Sequence, residues 1–149
     1  MPVAIRAARL AAVIFVAACS SPSEPELQPP ELDGITRIVL RAWEDTRAGL
    51  PPLAVEREDS VAVVVDFINA RRNGWEDAPA ELPGNPLFAE LHRGTPVVAR
   101  FGFISLQHNG PGYFITDDGG RARLRAASAQ DIATFLAFFG ISVEVTPYP

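Results

Sequence analysis

The chain has 149 residues, a formal net charge of −5, 13 arginines without a lysine, 18 acids and one cysteine. A net-negative chain lacks the positive field that general nucleic-acid binding requires, and a single cysteine excludes an internal disulfide framework. The length suits one domain with its own hydrophobic core, not two.

The first segment carries Arg6 and Arg9, followed by an unbroken apolar run over residues 10–18. A positive start and a short apolar stretch are the pattern of a secretory signal. The run is too short to span a bilayer, which takes about 20 residues. It leads into Val16-Ala17-Ala18-Cys19, which resembles the lipobox of the bacterial lipoprotein class: an aliphatic residue, two small residues and a cysteine. The resemblance implies cleavage before Cys19, diacylglycerol on its sulfur and acylation of its new amine. Several acyl chains hold a protein on a membrane where one chain does not. In this class, Ser at the position of Ser20 goes with export to the outer membrane of a Gram-negative cell. Loss of Arg6 and Arg9 with residues 1–18 would take the formal charge from −5 to −7.

Pro22, Pro25, Pro29 and Pro30, interspersed with Glu24, Glu26 and Glu31, make a Pro-rich acidic tether. Such composition favours an extended chain. The expected organisation is a signal over 1–18, a lipidated Cys19 with its tether over 19–33, and a single domain over 34–149. Residues 20–90 hold 14 acids and 6 arginines, against 4 and 5 from residue 91 onward, so the front of the chain presents a solvated acidic face.

Within the domain, the β-branched run 35–41 reads as a strand. Residues 44–58 contain Gly49, Pro51 and Pro52 and read as a loop, with a short extended piece at 53–55. Asp59 and Ser60 are positioned to cap a helix in which Val61, Val64, Val65 and Ile68 share one face, with Gly74 as its stop. Residues 75–94 read as a long irregular crossing with a helical turn at 87–91. Val97, Ala99, Phe101 and Phe103 alternate along a strand, residues 107–112 turn, and 113–116 return as the next strand. Asp117-Asp118-Gly119-Gly120 forms a tight turn into an alternating strand over 121–126. Ser128 and Asp131 resemble a capping box, opening a helix with Ile132, Phe135, Leu136 and Phe139 on one face. Gly140 ends it, and Ile141 supplies the apolar contact of such a terminus. Residues 142–146 read as a short edge strand. The expected fold is α+β: an antiparallel sheet of about four strands with two helices on one face, in the order β-α-β-β-β-α with a final β as an option.

Catalytic signals are sparse. The lipobox consumes the cysteine, and no G-x-S-x-G nucleophile turn is present. His92 and His108 supply only two imidazoles, without metal-ligand spacing. Asp117-Asp118-Gly119-Gly120 lacks the oxygen-ligand spacing of a calcium loop. We therefore expect no enzyme, no cofactor and no metal. Arg100, Arg121, Arg123 and Arg125 form the candidate ligand-binding stripe, since planar guanidinium forks match carboxylate and phosphate. Phe101, Phe103, Tyr113 and Phe114 line a groove or fill the core, and an exposed Trp43 or Trp75 would anchor a partner. The sequence points to a membrane-tethered envelope lipoprotein, facing the periplasm on the outer membrane of a Gram-negative cell. Its expected role is a non-catalytic module that binds an envelope protein as adaptor, assembly factor or inhibitor. The alternative is a binder of a small or polymeric envelope ligand such as peptidoglycan, through the arginines and aromatics.

Overall fold

The computed structural model describes residues 32–42, 52–106, 110–117 and 121–145. The expected signal, Cys19, most of the expected tether, Trp43, His108, and residues 107–109 and 118–120 lie outside them.

The elements run β1 (Arg37–Ala42), β2 (Leu53–Val55), α1 (Glu58–Asn69), β3 (Glu76–Asp77), β4 (Leu87–His92), β5 (Val97–Ser105), β6 (Gly112–Asp117), β7 (Ala122–Ala127) and α2 (Ala129–Ala137). One antiparallel sheet orders the strands β2-β1-β4-β5-β6-β7-β3. The α+β class and the two helices are as expected, but the sheet has seven strands, not about four. The expected helical turn at 87–91 is instead part of β4, paired with β1 on one side and β5 on the other. Leu87, Ala89 and Leu91 alternate with Phe88, Glu90 and His92, and pairing on both edges stabilises the strand over a lone helical turn. The extended piece Leu53–Val55 and the pair Glu76–Asp77 become the two edges. Edges this short offer little template for pairing with another chain. Residues 142–145 form no strand; Val143 packs against the core instead.

Strand parity divides the sheet into two faces. The inner face carries Ile38, Leu40, Ala89, Leu91, Ala99, Phe101, Phe103, Phe114 and Ala127, in one buried cluster with Val61, Val64 and Ile68 of α1 and Ile132, Phe135 and Leu136 of α2. Both helices therefore cover the same face. Phe135 is fully buried, with ring centroids 5.4 Å from Phe101 and 6.3 Å from Phe114. Leu32 joins this cluster at 6% exposure, so the packed core takes in a residue ahead of position 34.

The helix termini differ in how far local chemistry sets them. α2 starts with the reciprocal capping box of Ser128 and Asp131. It closes at Gly140, whose φ of 77° is the left-handed conformation that glycine adopts without a Cβ penalty. The Ile141 N–H donates back to the Leu136 carbonyl at 3.2 Å, and Ile141 packs on the core. α1 begins at Glu58 with Arg57 as an N-cap that makes no side-chain cap bond. Asp59 and Ser60 thus lie inside its first turn, where the acidic side chains Glu58 and Asp59 match the helix dipole. It ends at Asn69, five residues short of Gly74.

The outer face has its own small core. Ile104, Ile115 and Leu124 are buried there beneath Ala78 and Leu82. The irregular stretch between β3 and β4 crosses this half of the sheet so closely that a Cβ on Gly84 would stand 3.1 Å from Ile104 Cγ2. No helix among the described residues is long and apolar enough to cross a membrane.

Candidate functional surface

The other half of the outer face is built by β1, β4, β5 and β6. Paired residues in antiparallel strands project to the same face, and the register places Val39, Glu90, Arg100 and Asp117 in one cross-strand row. Arg37, Arg41 and His92 flank this row on alternate positions of β1 and β4. Glu90 is its centre. Its side chain is only 17% exposed, so its charge requires compensation. Arg41 Nε donates to Glu90 Oε2 at 2.8 Å, and Arg100 Nε stands 3.7 Å from Oε1. Arg100 also reaches Asp117 Oδ2 at 3.9 Å, and Arg37 pairs with Glu56 at 2.9 Å.

The consequence is a patterned charged surface on a rigid sheet. Arg37, Arg41 and Arg100 remain 46, 43 and 47% exposed while their positions are held by carboxylates. Buried Val39, at 1% exposure, lies between Arg37 and Arg41 along β1. Guanidinium groups held this way keep donors available to a partner's carboxylates or backbone carbonyls.

The four candidate arginines do not form one stripe. Arg100 is on the outer face, whereas Arg123 and Arg125 pair with Thr116 and Phe114, which places them on the inner face. Arg121 shares their parity just before β7. Arg121 and Arg123 approach Asp77 at 3.5 and 3.9 Å. Arg125 Nε donates to the Asn73 carbonyl at 2.8 Å, tying β7 to the turn after α1. The period-2 alternation read correctly along β7, but nothing local told which face β5 would share with it.

Phe101, Phe103 and Phe114 are buried in the core at 2, 8 and 0% exposure, and so line no groove. Trp75 is partly buried, edge-on to Phe101 at 6.1 Å, and its Nε1 donates to the Arg71 carbonyl at 2.6 Å. His92 lies on the outer face beside Glu90. Among the described residues, no group of three or more His, Cys, Asp and Glu gathers to hold a metal ion. Arg37, Arg41 and the central role of Glu90 were missed in the sequence. The i, i+2, i+4 spacing of Arg37, Val39 and Arg41 was the available signal, since it puts both arginines on the face opposite Ile38 and Leu40.

The chain matches no protein-family model, no curated protein and no solved structure.

Proposed function

We propose that this protein is a lipid-anchored envelope lipoprotein, and that its domain is a non-catalytic module docking another envelope protein through the outer sheet face. Residues 16–19 support the anchor, and the Pro-rich tether supports a domain held off the membrane. A single observation carries the docking surface: half-exposed Arg37, Arg41 and Arg100 held around a mostly buried Glu90 on a continuous sheet. Arginine is enriched at interface positions that dominate binding, and a sheet holds such groups more rigidly than a loop does. An acidic or carbonyl-rich surface on the partner is the matching chemistry.

Affinity capture of the tagged full-length protein from detergent-solubilised membranes of its own organism tests the reading. The expected result is one stoichiometric protein partner, lost in an Arg37→Ala/Arg100→Ala variant of unchanged thermal stability. Capture that survives this variant would move the interface elsewhere. Co-sedimentation with purified peptidoglycan, without a protein partner, would replace the adaptor by a polymeric-ligand binder.

A further inference from the structure

Residues 32–36 form a strap along the β4–β5 hairpin. The Asp33 carbonyl accepts from Arg93 Nε at 2.9 Å. The Thr36 N–H donates to the His92 carbonyl at 2.9 Å, and Thr36 Oγ1 accepts from the Gly94 N–H at 3.0 Å. The hairpin is closed by the Arg93 N–H donating to the Pro96 carbonyl at 3.1 Å.

His92 stands where this clamp meets the charged row. Its Nδ1 is 3.2 Å from the Thr95 carbonyl, an acceptor, so Nδ1 must carry the proton of that bond. A neutral imidazole has one N–H, which leaves Nε2 as a bare lone pair. That atom is buried and lacks a hydrogen-bond partner, and Glu90 Oε2 stands 3.7 Å from it. The other neutral tautomer turns a lone pair towards the Thr95 carbonyl instead. Only the imidazolium donates at both ends, to Thr95 and to Glu90.

The charged groups around the ring are set by the strands packed beside it. Glu90 is on its own strand, Arg37 is opposite His92 on β1 with Arg41 beyond, and Arg100 and Asp117 follow on β5 and β6. Arg93 extends the other way to Asp33. Arg41 and Arg100 engage the same carboxylate.

We propose that His92 is a proton-operated pin for the N-terminal strap. When the ring takes a proton, Nε2–H closes on Glu90 while Nδ1–H keeps its bond to Thr95, the ring is held at both ends, and the hairpin tightens on residues 32–36. When the ring is neutral, the pin is open and the strap exchanges more readily with a released state. In a tethered protein this adjusts the free length between membrane and domain, but the device itself requires neither the lipid nor the proposed partner.

The test is amide hydrogen exchange at Thr36 and Gly94 in the full chain, corrected for intrinsic rates, on either side of imidazole titration, with ¹⁵N spectra of the ring. The expected result is protection about tenfold higher with His92 protonated, the equilibrium equivalent of roughly one hydrogen bond to a charged group. A slowly exchanging Nε2–H should appear in parallel. His92→Gln and Glu90→Gln should each flatten the pH dependence while amides in β6 stay protected. Equal protection in both protonation states overturns the proposal, as does a pH dependence that persists in His92→Gln.

Discussion

The Arg71 guanidinium stands 2.7 Å from Asp131 Oδ1 and 3.4 Å from the centroid of the Phe67 ring. It joins the end of α1 to the first turn of α2, across 60 residues of sequence. A second bond runs from Arg71 to the Phe67 carbonyl at 2.7 Å, so one side chain caps α1 and braces the capping box of α2. The pair is partly buried, at 17 and 35% exposure, where a charge-assisted bond outweighs a surface ion pair. Arg71→Ala should lower stability by about 2 kcal/mol, from the lost bonds and the lost stacking on Phe67. Urea unfolding should show a lower midpoint with an unchanged slope.

Asp131 makes this junction sensitive to acid. Burial pushes its carboxyl upward, but hydrogen bonds from Arg71 and Ser128 and the charge of Arg71 outweigh that and hold it below the usual carboxylate value of 3.8. A folded value below the unfolded one stabilises the fold at any pH above the unfolded value, and that contribution is lost as pH falls through the folded value. Asp131→Asn should be less stable at neutral pH and should lose part of the acid destabilisation of the wild type. Melting temperatures measured from neutral pH down to about 3 should therefore converge for the two proteins.

Gly102 is required by the closeness of β4. A Cβ there would lie 2.1 Å from the Leu87 carbonyl oxygen and 2.9 Å from Phe88 Cα, both main-chain atoms that no rotamer change moves. Gly102→Ala should destabilise by more than about 4 kcal/mol, in the range reserved for severe core or backbone conflicts. Far-ultraviolet circular dichroism and soluble yield would report it, and a variant of near-wild-type stability would show that the two strands separate at little cost.

Phe135 is the common neighbour of Phe101, Phe103, Phe114 and Phe139. Phe135→Ala should cost about 3–5 kcal/mol by opening a cavity between α2 and the sheet, and Phe135→Leu clearly less. Calorimetry of both variants checks the ranking.

Cys19→Ala should abolish lipid attachment. Metabolic labelling with a clickable fatty acid should mark the wild type and leave the variant unlabelled, with the precursor signal uncleaved. Acyl labelling of the variant would overturn the lipoprotein reading.

Much of the fold is legible in short stretches of sequence. The i, i+3, i+4, i+7 stripes of α1 and α2, the Ser128–Asp131 box, the Gly140 stop and the alternation along β5 and β7 depend on contacts within a few residues. Local chemistry was less decisive at the start of α1, where Glu58 begins the helix although Asp59-Ser60 offered the stronger capping signal. β4 was hidden because Phe88 breaks its polar alternation and because Pro83, Gly84 and Pro86 make the preceding stretch look irregular throughout. Its strand form is stabilised by β1 and β5, one of which is joined to it through a long connection.

The sequence by itself determined the two amphipathic helices, the turn-linked strands after residue 97 and the motif that suggests lipidation, because each is encoded in neighbouring residues. Only the tertiary structure decided which strands pair, and so which arginines share a face. Parity along one strand is local, but which residues share a face depends on register between strands, both across hairpins, as with Arg100 and Asp117, and across distant segments, as with Arg41 and Glu90, separated by 49. That register split Arg100 from Arg123 and Arg125, and it assembled Arg37, Arg41, Glu90, His92 and Arg100 into a surface that no single stretch of the chain announces.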